Sequence, residues 1–454
     1  MDRSLYVNRC LQALQCCASA LGGDPQAPAW PRLADMVIQS MSGPWRSFHT
    51  PEHIFDVGEG GTPTEVLAAL FHDLVYVQVD QGINLSLARH LADALQETEQ
   101  GLKLDPAAVR QDPLLQMTVD LFGFAHDQLL NPFGGQNEFL SAVVAVRSMR
   151  DLLPPAVLAQ VVACIEATIP FRAAPADGPD CSEKLRLRLQ AVNRDCALGL
   201  TEDQVFGAVE TAVRVANRDV GNFASAHPAE FLDNTWNLIP ETNHDLVQVN
   251  VYTVRGYRTS LQKMEGFLSS LQAGKVFRQY RHEPDSATHQ RRLALTQRNL
   301  QVACEYLRIK LVSVGLLEAL SLRIGTSVSL ASLMGKLSAA PDAGPQLEHL
   351  LPAVGQAKQD AEDIESMVVT LLRAGRTADS LHDARHSPVA SFLVGHMGYA
   401  KTLALHEEAK RFFADSSRAE ALLQAFPGEV IEAITHGVQQ LFLQRADAVR
   451  QPAH

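Results

Sequence analysis

Residues 62–76 read Thr-Pro-Thr-Glu-Val-Leu-Ala-Ala-Leu-Phe-His-Asp-Leu-Val-Tyr, and no other stretch constrains the fold as strongly. Thr62 to Glu65 is a capping box with proline at the first helical position, where its missing N–H costs nothing. Val66, Leu67, Leu70, Phe71, Leu74 and Val75 then fall on one helical face. His72 and Asp73 are set inside that apolar run. A carboxylate there is costly unless a partner answers its charge. The helix must therefore pack where such a partner exists.

Helical periodicity continues from end to end, and β-branched alternation between tight turns is almost absent. The expected fold class is all-α. Helices are expected over 5–42, from Pro51 to Gly58, from Pro63 to Val75, and over 138–149, 155–169, 183–197, 203–220 and 251–273. Thr50 is the expected cap of the helix that begins at Pro51. Residues 79–136 are less regular, with a short helix near Leu85–Leu95 and a Gly/Asn/Pro loop at Asn131 to Gly135. They read as an insertion or a substrate-side cap. Residues 170–179 read as a loop. Beyond residue 287 a long stripe (Leu300, Ala303, Leu307, Leu311, Val314, Leu317) opens a second helical domain without catalytic spacing. A chain of 454 residues with 46 % hydrophobic content holds two or three domains, at roughly 100–200 residues each. The expected division is an N-terminal segment 1–29, a core domain 30–282 and a C-terminal domain 287–454.

The formal charge of −12, with no long basic run, argues against a general binder of nucleic acid or anionic membrane. Seven scattered cysteines fit a reducing compartment better than a disulfide framework. No stretch reaches membrane-spanning length. A cytoplasmic protein is the resulting expectation.

Chemistry concentrates in two segments, Phe48-His49-Thr50-Pro51-Glu52-His53-Ile54-Phe55-Asp56-Val57 and Ala68 to Tyr76. His53 lies in the first turn of one helix, and His72 and Asp73 lie on the next. Imidazole nitrogen with carboxylate oxygen suits a divalent metal ion, so the two helices could present three ligands and need a fourth. Of four His-Asp dipeptides, only His72-Asp73 is set in an apolar helix. The other three, at 126–127, 244–245 and 382–383, read as solvated surface pairs, and His382 with His386 as a polar face. Asp219 extends the stripe Val205, Val209, Ala212, Ala216 toward the core, whereas Asp195 stands beside the stripe of its own helix. Asp219 is the preferred fourth ligand. A bond to Arg214 or Arg218, or a helix-end cap, competes for it.

The pattern His49-x3-His53, followed by Ala-x-Phe-His72-Asp73-x-Val-Tyr76, resembles the HD superfamily of metal-dependent phosphohydrolases. Asn137-Glu138-Phe139-Leu140-Ser141-Ala142 and Ile165-Glu166-Ala167-Thr168 are similar to segments of its small predicted hydrolases. Phe48-His49…His53…Asp56-Val57 more weakly resembles the cyclic-nucleotide phosphodiesterase motif. The likeness covers roughly residues 30–282. It implies a helical core holding a divalent ion (manganese, magnesium, iron, nickel, cobalt or zinc) on His53, His72, Asp73 and Asp219. The implied activity is hydrolysis of a phosphoester, a nucleotide or cyclic nucleotide, by metal-activated water, with His49 as general acid. In the small hydrolases the last aspartate comes soon after the Ala-Thr segment, which would favour Asp195. Relatives carry a histidine three residues after Ala-Thr, and this chain has Phe171 there, followed by Arg172. One metal rather than two, or a guanidinium in place of a cation, is the implied consequence.

Arg46, Arg172 and Lys184 are available to hold phosphate oxygens, and Glu138 to orient the water. Two further readings fit the same residues: an inactive HD-type signalling or ligand-binding scaffold, and a di-iron oxygenase of the same fold. The expected partner is a small phosphorylated molecule, with the C-terminal helices available for self-association.

Overall fold

Prolines mark where many of the helices begin: Pro51, Pro63, Pro106, Pro113 and Pro155 each stand in a first turn. The computed structural model describes residues 3–172, 178–247, 252–324, 329–334, 346–353, 363–378, 380 and 383–450. Within these residues the fold is all-α apart from one two-stranded hairpin. Residues 173–177 of the expected loop, residue 251 and His382 lie outside the described residues, as does the side chain of Asp245.

The chain divides into two units, residues 1–222 with 272–294, and residues 223–271 with 295–454. Residues 223–271, expected in the core domain, thus belong to the second unit. The segment 1–29 is no separate element. Its helix α1 (Arg3–Ala20) buries Cys10, Leu14, Cys17 and Ala18 in the common core of the first unit.

The first unit continues with α2 (Trp30–Met41), α3 (Pro51–Gly58), α4 (Pro63–Phe71), α5 (Val77–Asp80), α6 (Leu85–Ala88), strands β1 (Leu95–Thr98) and β2 (Gly101–Leu104), α7 (Pro106–Gln111), α8 (Pro113–Phe122), α9 (Gln136–Ser148), α10 (Pro155–Ala167), α11 (Cys181–Asp195) and α12 (Glu202–Asp219). The strands pair antiparallel, with Leu95 opposite Leu104 and Thr98 opposite Gly101. Helix α10 is central. Residues Val161 to Ala167 are buried in succession, so the C-terminal half of the helix has no solvent face, and it packs on α4, α8, α9, α11 and α12. The region 79–136 is therefore not a peripheral insertion, because its α8 buries Leu115, Met117, Val119 and Leu121 in that core.

Two further expectations are corrected around α4. Thr50 precedes α3 but makes no side-chain cap bond. Helix α4 ends at Phe71, so Asp73 sits in the turn after the helix rather than within it. Side chains from elsewhere hold that turn. Ser141 accepts from the Val75 amide at 3.0 Å, and Asn137 from the Val77 amide at 3.1 Å. Arg46 donates to the carbonyls of Asp73 at 2.8 Å and Leu74 at 3.2 Å, while gripping Asp80 at 2.6 and 2.9 Å. Backbone groups released by the end of the helix are thereby satisfied without water.

A buried carboxylate ties the frame together. Glu65 accepts from the Thr62 amide at 3.1 Å, completing the expected capping box. Its two oxygens also meet Arg214 at 2.6 Å and Arg218 at 2.9 Å, both on α12. Arg218 in turn donates to the Val57 carbonyl near the end of α3, at 2.6 Å. One side chain thus links α4 and α12 directly and α3 through Arg218.

In the second unit, helices Pro228–Thr242, Val254–Ser270 and residues 295–324 of Ser286–Ile324 carry buried charge pairs. Arg258 pairs with Glu318 at 2.8 Å. Asp383, expected on the surface, has its side chain largely covered and meets Lys310 at 2.9 Å and the Trp236 indole N–H at 2.8 Å. His386 is half-buried against Glu348 at 2.5 Å.

Glu65→Ala is expected to lower the unfolding free energy by about 2–4 kcal/mol in urea titration. This is less than the full cost of breaking a wholly buried pair, because Arg214 and Arg218 keep some water. An unchanged midpoint would show that the tie contributes nothing.

Candidate metal centre

Three helices bring four side chains to one point. His53 comes from the first turn of α3, His72 caps the end of α4 with Asp73 beside it, and Asp219 is the last residue of α12. The Nε2 of His53 lies 3.3 Å from Asp73 Oδ2 and 3.2 Å from Asp219 Oδ1. The Nε2 of His72 lies 2.8 and 3.3 Å from the same two oxygens. One ligand atom from each residue falls within 4.8 Å of all the others. Ligands on neighbouring corners around a metal stand about 3 Å apart when metal–donor bonds are about 2.0–2.2 Å, so the spacing suits a single ion.

The orientation suits it as well. His72 Nδ1 sits 2.8 Å from the Ala69 carbonyl, which can only accept, so Nδ1 carries a proton and Nε2 is the nitrogen that faces the centre, with a lone pair for an ion once its own proton is displaced. The Nε2 atoms of His53 and His72 are both buried and make no hydrogen bond among the described residues, despite their short distances to carboxylate oxygens. Buried polar atoms are rarely left this way, and a shared cation would satisfy all four groups. Two nitrogens and two oxygens suit first-row divalent ions best.

Asp195 is exposed at the end of α11 and stands outside the cluster. The competing partners of Asp219 are otherwise engaged, since both Arg214 and Arg218 pair with Glu65. His49 approaches Asp73 Oδ2 at 3.9 Å and lies edge-on to Tyr76, with ring centroids 4.6 Å apart. Glu138, in the first turn of α9, is close enough to feel the charges of Asp73 and Asp219. Burial first, then those charges, push its carboxyl up to about 7.

Three other residues do not stand open as expected. Arg46 is buried and committed to Asp80 and the 73–74 carbonyls, where it shapes the turn that carries Asp73. Arg172 pairs with buried Glu166 at 2.6 Å. Lys184 is exposed on α11. Sequence reasoning missed Glu65, visible there only as a capping-box residue, and missed what Asn137 and Ser141 do. Their i, i+4 spacing on α9 was a signal, but the amides they hold lie about sixty residues away, beyond the reach of any local pattern.

Compared with known proteins, the chain matches no family model, no curated protein and no solved structure. Among the described residues, no helix is long and apolar enough to cross a membrane.

Two predictions come from this geometry. Purified protein is expected to hold close to one divalent ion per chain, lost in His72→Ala and Asp219→Asn but kept in Asp195→Asn, as read by elemental analysis. Metal in the Asp219 variant and none in the Asp195 variant would reverse the assignment. The second prediction concerns pH. Burial opposes charge on His53, but Asp219 and Asp73 outweigh it and push its pKa up to about 9, and His72 is raised likewise. In the metal-free protein both imidazoles hold protons at pH 7 that an incoming ion must displace. Affinity should therefore climb between pH 6 and pH 8, by about ten- to a hundredfold per unit for one or two protons. Calorimetry in buffers of differing ionisation enthalpy checks the proton release, and a flat profile would place the ion elsewhere.

Proposed function

We propose that this protein is a metal-dependent phosphohydrolase with an HD-type site, cleaving a phosphoester of a nucleotide or cyclic nucleotide. The observation that carries the reading is the convergence of His53, His72, Asp73 and Asp219, with two buried imidazole nitrogens left without hydrogen bonds. A divalent ion on these four groups supplies Lewis acidity at the phosphoryl oxygen and lowers the pKa of water.

The chain's own residues do the rest. His72, its tautomer set by the Ala69 carbonyl, and His53 aim neutral nitrogens at the centre. His49, 3.9 Å from Asp73, gives a proton to the departing oxygen. Glu138, a buried carboxyl close enough to feel the charges of Asp73 and Asp219, can take up the proton released by the attacking water. Arg46, Ser141 and Asn137 keep Asp73 and the 74–77 turn rigid, so these groups are positioned before substrate arrives.

The test is a panel of phosphoesters offered to the full chain with manganese, magnesium or nickel. Turnover is expected, and His72→Ala should abolish it. A stoichiometric ion without turnover on any panel member would instead indicate a ligand-binding scaffold. His49→Ala should keep its metal and lose about 10²–10⁴-fold in kcat on substrates with alkoxide leaving groups. On a nitrophenyl ester, whose leaving group needs no proton, the loss should shrink severalfold or more. Equal losses on both substrates would remove His49 from the acid role.

A further inference from the structure

Beside the metal centre, Arg46 fixes two segments of the first unit against each other. It stands in the 42–50 loop, and its guanidinium donates to Asp80 Oδ1 at 2.9 Å and Oδ2 at 2.6 Å, to the Asp73 carbonyl at 2.8 Å and to the Leu74 carbonyl at 3.2 Å. A planar fork of donors sets distance and angle together, which a point charge does not. The loop that holds Arg46 also carries Phe48 and His49, and the turn that it grips carries Tyr76. A fully covered side chain therefore sets the register between those three rings.

Both segments are stiff where the rings leave the backbone. The Thr50 amide donates to the Phe48 carbonyl at 2.9 Å, so His49 is the middle residue of a tight three-residue turn. In the facing segment the Tyr76 carbonyl accepts from the Val79 and Asp80 amides at 3.1 and 2.9 Å. The Val75 and Val77 amides, on either side of Tyr76, go to Ser141 and Asn137. Every one of these bonds holds backbone, and the Tyr76 ring projects from a fixed point.

The rings then meet. His49 lies 4.6 Å from Tyr76 with 71° between the planes, and 4.9 Å from Phe48 with 79° between them. Both are edge-to-face contacts near the short end of the range of about 4.5–7 Å that aromatic pairs favour, and the ring quadrupole makes them directional. Asp73 Oδ2 stands 3.9 Å from His49 Nε2, an attraction without the directionality of a hydrogen bond. Charge draws the imidazole toward the centre, and the aromatic contacts fix its plane. Its side chain keeps 12 % exposure, so it is packed and still reachable.

We propose that Tyr76 is the positioning residue for His49: its ring, registered by the Arg46 clamp and with Phe48 as a second contact, holds the imidazole where it can reach the departing oxygen of the substrate. The catalytic use rests on the phosphohydrolase reading, and the orienting contact stands without it.

The test compares Tyr76→Leu, which removes the ring, with Tyr76→Phe, which keeps it, in the full-length chain. Tyr76 serves better than Phe48, whose ring also lies 5.0 Å from that of His53. The first readout needs no turnover. In zinc-loaded protein with labelled histidines, the His49 imidazole signals, identified by their loss in His49→Ala, should shift in Tyr76→Leu and stay close to wild type in Tyr76→Phe, because an adjacent ring current displaces them. Elemental analysis should find the ion in both variants, and circular dichroism checks their fold. The second readout is kinetic. On an ester with an alkoxide leaving group Tyr76→Leu should lose about 10–100-fold in kcat, since misplacing a reacting group by ~1 Å costs on that order. The loss should be smaller on the nitrophenyl ester, and Tyr76→Phe should keep most of the activity. In the His49→Ala background Tyr76→Leu should cost little more, because the two side chains act as one. Unmoved His49 signals in Tyr76→Leu, equal losses on both esters, loss of the ion, or full additivity with His49→Ala each overturns the positioning role. Shifted signals in a protein that turns over no phosphoester would sink the phosphohydrolase reading and leave the contact. Turnover with unmoved signals would do the reverse.

Discussion

Two carboxylates, Asp73 and Asp219, share the same two imidazole nitrogens at 2.8–3.3 Å, and the first unit is arranged around that fact. Like charges this close, away from bulk water, repel strongly unless cations stand between them. In the metal-free chain the histidines must supply those cations as protons. Both imidazoles are accordingly raised, Asp219 is lowered to about 2, and Asp73 lies well below its usual range. A divalent ion would do the same work with one charge centre and would satisfy the two orphan nitrogens as well. The cluster needs protons or a cation between its carboxylates, and its four groups could hold a metal ion.

Such a cluster needs a frame that cannot relax. Two mechanisms provide it. Glu65 ties α4 directly to α12, and through Arg218 to α3, the helices that carry His53, His72 and Asp219. Arg46, Ser141 and Asn137 occupy the backbone groups of the turn that carries Asp73. In both cases a buried polar side chain is fully satisfied, and its bonds run between elements far apart in sequence. Arg172 and Arg188, which both bond Glu166 near the end of α10, show the opposite condition, with a donor left over on each.

Much of this was legible before the fold was known. Proline and capping residues placed the starts of α3 at Pro51 and α4 at Pro63, because capping is a local matter. His53, His72, Asp73 and Asp219 stood out because each put a polar group on or beside an apolar face. Other features were not legible. The β1–β2 hairpin carries Glu-Thr-Glu-Gln-Gly-Leu-Lys and no strong alternation, and it forms beside the Gln128–Leu130 backbone that it bonds to. Helix Pro228–Thr242 went unread, although its buried face (Phe231, Leu232, Thr235, Trp236, Ile239) is periodic. The apolar run through Leu74 and Val75 suggested a longer α4. Side chains from α9 and the loop before α3 took over the backbone bonds that another helical turn would have made.

By itself the sequence determined the helical class, the starts of α3 and α4 and the residue types able to hold a cation, since periodicity, capping and donor chemistry act within a few residues. Only the tertiary structure decided that Asp219 and not Asp195 meets the histidines, that Glu65 occupies the arginines which would otherwise be open to Asp219, and that Arg172 and Arg188 both bond the buried Glu166. Those outcomes turn on which faces of distant helices pack together. That choice is set by burial and charge balance summed over the whole core, and no local window of residues contains it.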